Sequence, residues 1–108
     1  MKYLLLICTE GPVTAFPEET DAQAWADEMT RRKIRLTGSR TRDAEDATTV
    51  RVRDGARLIT DGPYAETKEQ MCGFDIVECA DLDEAVEVAA KHPMARFGMI
   101  EVRPFWTE

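Results

Sequence analysis

The chain has 108 residues, of which 44% are hydrophobic and 32% are charged, and its formal net charge is −7. This composition is ordinary for a globular domain and excludes a disordered chain. No apolar run approaches the roughly 18 residues that a membrane-spanning helix needs. We therefore expect a single domain over residues 1–108, without a membrane segment. The negative charge argues against direct nucleic-acid binding.

The three cysteines are scattered and odd in number, without Cys-x-x-Cys spacing. This usage is typical of a reducing compartment, so we expect a cytoplasmic protein. Since His92 is the single histidine, the sequence predicts no metal site. It also lacks a glycine-rich phosphate loop, so we expect no cofactor.

The first predicted strand is the apolar run from Lys2 to Cys8, which suits a central position in a sheet. A helix is expected to begin near Thr20 or Asp21, and Gly38 is expected to close this helical region before a polar connection. The core-facing stripe of this helix has helical spacing and comprises Ala22, Trp25, Ala26 and Met29.

A hairpin is predicted in the middle of the chain. Thr48–Arg53 alternates valines on one face with Arg51 and Arg53 on the other. Asp54–Gly55 suits a type I′ turn, in which both central residues have positive φ. Arg57–Thr60 returns as the partner strand.

The second half predicts a strand at Phe74–Cys79, a helix, and a last strand at Met99–Arg103. Asp81 and Glu84 form a capping box at the start of the helix, and Pro93 ends it. Its expected inner stripe consists of Leu82, Ala85, Val86 and Ala89.

These elements predict an α+β fold with two helices on one face of a largely antiparallel sheet. The other face needs a cover, and a two-fold homodimer is the simplest one. The aromatic pair Phe105 and Trp106 near the end of the chain is expected to pack against the second subunit.

Three segments resemble the YCII-related family, specifically its DGPF-type members. They are Ala47–Gly55, Thr60–Gln70 with its Asp-Gly-Pro-aromatic-Ala-Glu-Thr-Lys-Glu string, and Asp81–Ala85 together with Val102–Pro104. The resemblance implies a ferredoxin-like, dimeric fold with a cleft near the dimer contact. It also implies two functional directions: some relatives look like small-molecule enzymes with a histidine–aspartate pair, and some DGPF-type members are associated with sigma factors.

This sequence departs from the relatives' pair, whose histidine lies on the first helix and whose aspartate precedes the proline after the second. Residues 22–36 contain no histidine, and His92 occupies the position before the proline. The pair therefore cannot be transferred residue by residue. A second departure is Cys72–Gly73, where DGPF-type members often have two glycines.

His92 and Asp61 are the candidate catalytic residues. The pKa of histidine lets it exchange a proton near neutrality, and a helix C-terminus would favour the protonated form of His92. The structural alternative is that it caps the helix or packs in the core. Asp61 would orient His92, or would instead hydrogen-bond its own turn.

Lys68, Arg51 and Arg53 are the candidate ligand-binding residues, because each offers a positive charge to an anion. Two functions stay open at this point. The first is a dimeric module that binds a small anionic ligand or a protein partner such as a sigma factor, with a role in transcription regulation. The second is a cofactor-free enzyme that performs proton transfer or elimination on a small anionic molecule.

Overall fold

The computed structural model of the chain describes residues 1–10, 17–62 and 69–107. A single 3-10 turn at Ala44–Asp46 precedes the hairpin. The strands and helices, in chain order, are β1 (Lys2–Glu10), α1 (Glu19–Arg31), β2 (Arg35–Arg40), β3 (Thr48–Arg53), β4 (Ala56–Asp61), β5 (Glu69–Glu78), α2 (Leu82–Ala90), α3 (Met94–Phe97) and β6 (Met99–Pro104).

The main sheet is antiparallel and has the strand order β2-β5-β1-β6. The apolar run of β1 takes a central position, paired with β5 on one side and β6 on the other. Without the β3–β4 hairpin, the connection is strand, helix, strand, strand, helix, strand. The α+β prediction is therefore confirmed, and the order agrees with a ferredoxin-like arrangement.

Alternation along β1 divides its side chains between two environments. Tyr3 and Leu5 are buried on the face that carries α1 and α2, whereas Leu4 and Leu6 are half-buried on the opposite face. Trp25 links α1 to α2, because its indole Nε1 donates a hydrogen bond to the Val88 carbonyl at 3.0 Å.

Helix α1 buries Trp25 and Met29, as its predicted stripe requires. The helix ends at Arg31, earlier than Gly38, which was expected to close this region. The chain turns at Lys33, which adopts a φ of 60°, and the Ile34 amide donates to the Met29 carbonyl at 2.8 Å. Strand β2, absent from the predicted elements, follows at once.

Helix α2 confirms the predicted capping box. The Glu84 amide donates to Asp81 Oδ1 at 2.9 Å, and Glu84 Oε1 accepts from the Ala80 amide at 3.0 Å. The predicted stripe is partly wrong, because Leu82 and Val86 are about half exposed. Apolar residues occupy most positions of this short helix, so their spacing alone does not predict which side is buried. The buried residues are Ala85, Val88 and Ala89.

The β3–β4 hairpin is confirmed, with φ values of 51° at Asp54 and 78° at Gly55. It forms a separate two-stranded sheet. Val50 pairs with Ile59, and their side chains are 59% and 60% exposed. Since two-stranded sheets are marginally stable alone, this apolar face needs a cover.

The three cysteines are all free, with Cys79 buried and the other two half-buried. Across the described part of the chain, no helix is long and apolar enough to span a membrane.

Candidate active site or ligand cavity

A cavity of about 510 Å³ lies between α1 and the helix-facing side of the sheet. Its volume is in the range of small-molecule sites. The wall that α1 supplies combines apolar residues such as Trp25 with Glu19 and Gln23, while the sheet contributes Ile7 and the bare backbone of Gly73. Further polar groups line the cavity from β2, β5 and the turn after α2.

The most buried charges in the cavity are an ion pair between neighbouring strands. Arg35 Nε donates to Asp75 Oδ1 at 2.8 Å, and the two side chains are 24% and 6% exposed. Burial raises the pKa of the Asp75 carboxyl above its ordinary value, while the hydrogen bond and charge of Arg35 act in the opposite direction. The arginine thus offsets part of the cost of placing a carboxylate there.

Gly38 makes room for this pair. It lies opposite Asp75 in the β2–β5 ladder, and a Cβ added to it would overlap Asp75 Oδ1 and approach the Phe74 carbonyl oxygen to 2.7 Å. A glycine inside a strand commonly marks such a close approach. The residue expected to end a helical region instead accommodates a buried charge.

His92 lies in the turn between α2 and α3, with its side chain buried. Its Nδ1 accepts a hydrogen bond from the Met94 amide at 3.0 Å. Its ring packs edge-on against Trp25, with ring centroids 4.6 Å apart. His92 therefore has a structural role, because it caps the first turn of α3. It also lines the cavity.

Burial, followed by the charge of Arg35, lowers the pKa of His92 from 6.5 to about 4. The expectation that a helix end would favour the protonated form is wrong in direction, because desolvation and a nearby cation outweigh the helix dipole. The ring is neutral at neutral pH. Since Nδ1 is an acceptor, the single proton resides on Nε2.

A second polar region lies where β2 ends. Arg40 and Thr41 line the cavity there, and the Thr41 amide donates to the Cys72 carbonyl at 3.0 Å. Thr41 Oγ1 is buried without a hydrogen-bond partner among the described residues. A buried hydroxyl without a partner is uncommon in folded proteins, because leaving it unpaired costs stability.

The other residues singled out from the sequence lie elsewhere. Asp61 ends β4 and is exposed, and it is not among the described residues that line the cavity with His92. Arg51 and Arg53 are exposed on the hairpin, where Arg53 donates to the Val52 carbonyl at 2.9 Å. Lys68 falls outside the described residues, so its proposed contact stays a prediction.

Sequence reasoning missed Arg35, Asp75 and Arg40. One signal was available for Asp75, since it alternates with Val77 on the inner face of a predicted strand. A carboxylate at an inner position requires a partner. No local pattern named that partner, because Arg35 is 40 residues away in the chain. Within the described ranges, no group of three metal-ligating side chains is found.

Fold and cavity together define a small α+β domain with a ligand-sized site. The model of the YCII-related domain matches residues 1–107, and the chain belongs to this family. It is also similar to an uncharacterised protein of Rhizobium meliloti (strain 1021), with 47% identity over 60 residues. That match covers 54% of this chain and 48% of the relative, so the matched region spans about half the relative's length.

Replacing Gly38 with alanine should separate Arg35 from Asp75, because the added methyl group takes the space of the carboxylate. We expect a loss of about 1 to 3 kcal/mol in the free energy of unfolding, as in other overpacked sites. Urea denaturation measures it. Ser39→Ala is the control, since Ser39 is exposed and points to the other side of the strand. Equal stability of the two variants would contradict the geometry.

The free energy of unfolding should depend on pH because of His92. Its pKa is lower in the folded chain, so the unfolded chain binds more protons between pH 4 and 6.5. The contribution is complete above pH 6.5 and is lost as the pH falls to about 4.

We expect the wild type to lose about 2 to 3 kcal/mol more than His92→Gln over this window. Because Asp75 is present in both proteins, its contribution to the pH dependence cancels in the difference between them. An NMR titration of the single imidazole gives the pKa directly, and a midpoint at the ordinary value would refute this prediction.

Proposed function

We propose that this protein binds a small anionic molecule in the cavity between α1 and the sheet. The observation that carries the proposal is an apolar, ligand-sized space that several otherwise costly polar groups enter. The Arg35–Asp75 pair and His92 are buried side chains that line it. Burying such groups costs stability that hydrophobic residues of similar size would not.

Arg40 is the residue to which we assign the anion. It lines the cavity, and none of the ion pairs formed among the described residues involves it. Arg35, in contrast, is neutralised by Asp75. A guanidinium that has no carboxylate partner in the described chain can take the carboxylate of a ligand.

Binding can be followed through Trp25, provided that the exposed Trp106 is first replaced by phenylalanine. In this Trp106→Phe protein, we expect benzoate and para-acetylbenzoate to change the fluorescence of Trp25, and the change should saturate as the ligand concentration rises. Arg40→Gln should weaken binding about tenfold, the loss of one charge-assisted contact. Lys91→Gln removes the same charge from an exposed site at the end of α2 and should leave the affinity unchanged. Absence of saturable binding, or equal effects of both variants, would refute the proposal.

The alternative function is a cofactor-free enzyme that performs proton transfer or elimination. The observation that favours it is Asp75, a buried carboxyl with a raised pKa in the same cavity as His92. A raised pKa makes such a carboxyl a stronger base than an ordinary aspartate, as proton abstraction requires. Deuterium uptake from D₂O into the methyl group of bound para-acetylbenzoate would favour the enzyme over the binding module.

We propose further that the protein is a homodimer formed through the sheet face opposite the helices. The two central strands present apolar, half-buried side chains on this face, as in Leu6, Phe74 and Ile76, and β6 adds the exposed Glu101–Arg103 ion pair. The exposed apolar face of the hairpin and Trp106, which is 97% exposed, add to the surface that a second copy would cover. The DGPF-type assignment and an association with a sigma factor stay predictions, and the dimer does not depend on them.

Sedimentation velocity at micromolar concentration should give a dimer for the wild type. Leu6→Lys places a charge in the centre of the proposed contact and should give a folded monomer. Leu82→Lys is the matched control, because Leu82 is exposed on α2, and it should remain dimeric. A monomeric wild type would refute the contact, as would a dimeric Leu6→Lys protein with native circular dichroism.

A further inference from the structure

His92 is held in one orientation and one protonation state by groups on both sides of its ring. The Met94 amide occupies Nδ1 at 3.0 Å, and the edge of the ring packs on Trp25. Flipping the ring would place a carbon atom where Nδ1 accepts and would leave a buried backbone N–H without a partner. That loss costs on the order of 1 to 3 kcal/mol.

We propose that His92 is a fixed neutral hydrogen-bond donor, whose Nε2–H recognises a carbonyl oxygen of the molecule bound in the cavity. This inference rests on the proposed function and specifies the ligand. It differs from the acid–base role, which needs either an imidazolium or a free lone pair. With Nδ1 occupied by an amide donor, the ring offers the ligand a proton donor and no acceptor.

The charges around His92 favour a carbonyl over a second anion. Arg35 lies near His92 and is already ion-paired with Asp75, so its guanidinium is occupied by a carboxylate of the protein. An anion placed there would also face the Asp75 carboxylate. A carbonyl oxygen accepts from Nε2–H without that repulsion.

The two polar regions of the cavity lie at different positions along β2 and β5. Gly38 pairs with Asp75, and Arg40 pairs with Gly73 two residues further along the ladder. Two residues along a strand separate these backbone positions by about 7 Å. We therefore assign the ligand to the class of monocarboxylates that also carry a carbonyl group, with an apolar segment between the two groups.

The experiment compares three probes that differ in one group each. Para-acetylbenzoate has both the carboxylate and the ketone, para-isopropylbenzoate lacks the carbonyl oxygen, and para-acetylbenzamide lacks the charge. We expect the Trp106→Phe protein to bind the first about fivefold more tightly than the second, the value of one neutral hydrogen bond. His92→Phe should abolish this preference while keeping a ring against Trp25. Arg40→Gln should weaken both benzoates equally.

A second measurement does not depend on a variant that folds. The imidazole nitrogen shifts of uniformly labelled wild type should show the proton on Nε2, and bound para-acetylbenzoate should shift Nε2 more than Nδ1. Equal affinity for the two benzoates, or a proton on Nδ1, would overturn the assignment of His92 while leaving the cavity as a carboxylate site. If neither benzoate binds, the proposed function itself fails.

Discussion

The buried contact between Arg35 and Asp75 governs the chemistry of this fold. It joins an edge strand to an inner strand on the face that α1 covers, and it fixes two buried charges beside the cavity. Gly38 lacks a side chain where the carboxylate lies. A buried ion pair is weak evidence for stability, because hydrophobic residues of similar volume often do as well or better. Its presence beside a cavity is better explained by what it does to neighbouring groups.

Its effect on His92 is the clearest case. The guanidinium of Arg35 adds to desolvation in lowering the pKa of the imidazole to about 4. The Met94 amide then selects the tautomer, so two independent contacts turn a residue suited to proton exchange into a neutral donor. The same arginine keeps Asp75 from becoming an isolated buried carboxylate. The protonation of His92 and the pairing of Asp75 thus both depend on Arg35.

The sequence predicted what local chemistry determines and missed what the sheet brings together. The Asp54–Gly55 turn and the Asp81 cap depend on residues a few positions apart, and both are confirmed. Strand β2 was missed because it is a polar edge strand with a central glycine and no alternating pattern. Its absence also hid Arg35, and with it the partner of Asp75. His92 was found by residue type alone, but its protonation state depends on burial, which the local pattern does not give.

Alternation along β1 separates the two proposed roles of the sheet. Leu5 and Ile7 point toward the helices and the cavity, whereas Leu4 and Leu6 point to the face proposed for the dimer. A substitution on one face of β1 therefore leaves the side chains on the other face unchanged. The two faces still share the backbone of β5, where Gly73 forms the cavity floor next to the half-buried Cys72 and Phe74. Assembly through the open face would hold that backbone in register, and so would hold the floor of the site against which a ligand packs.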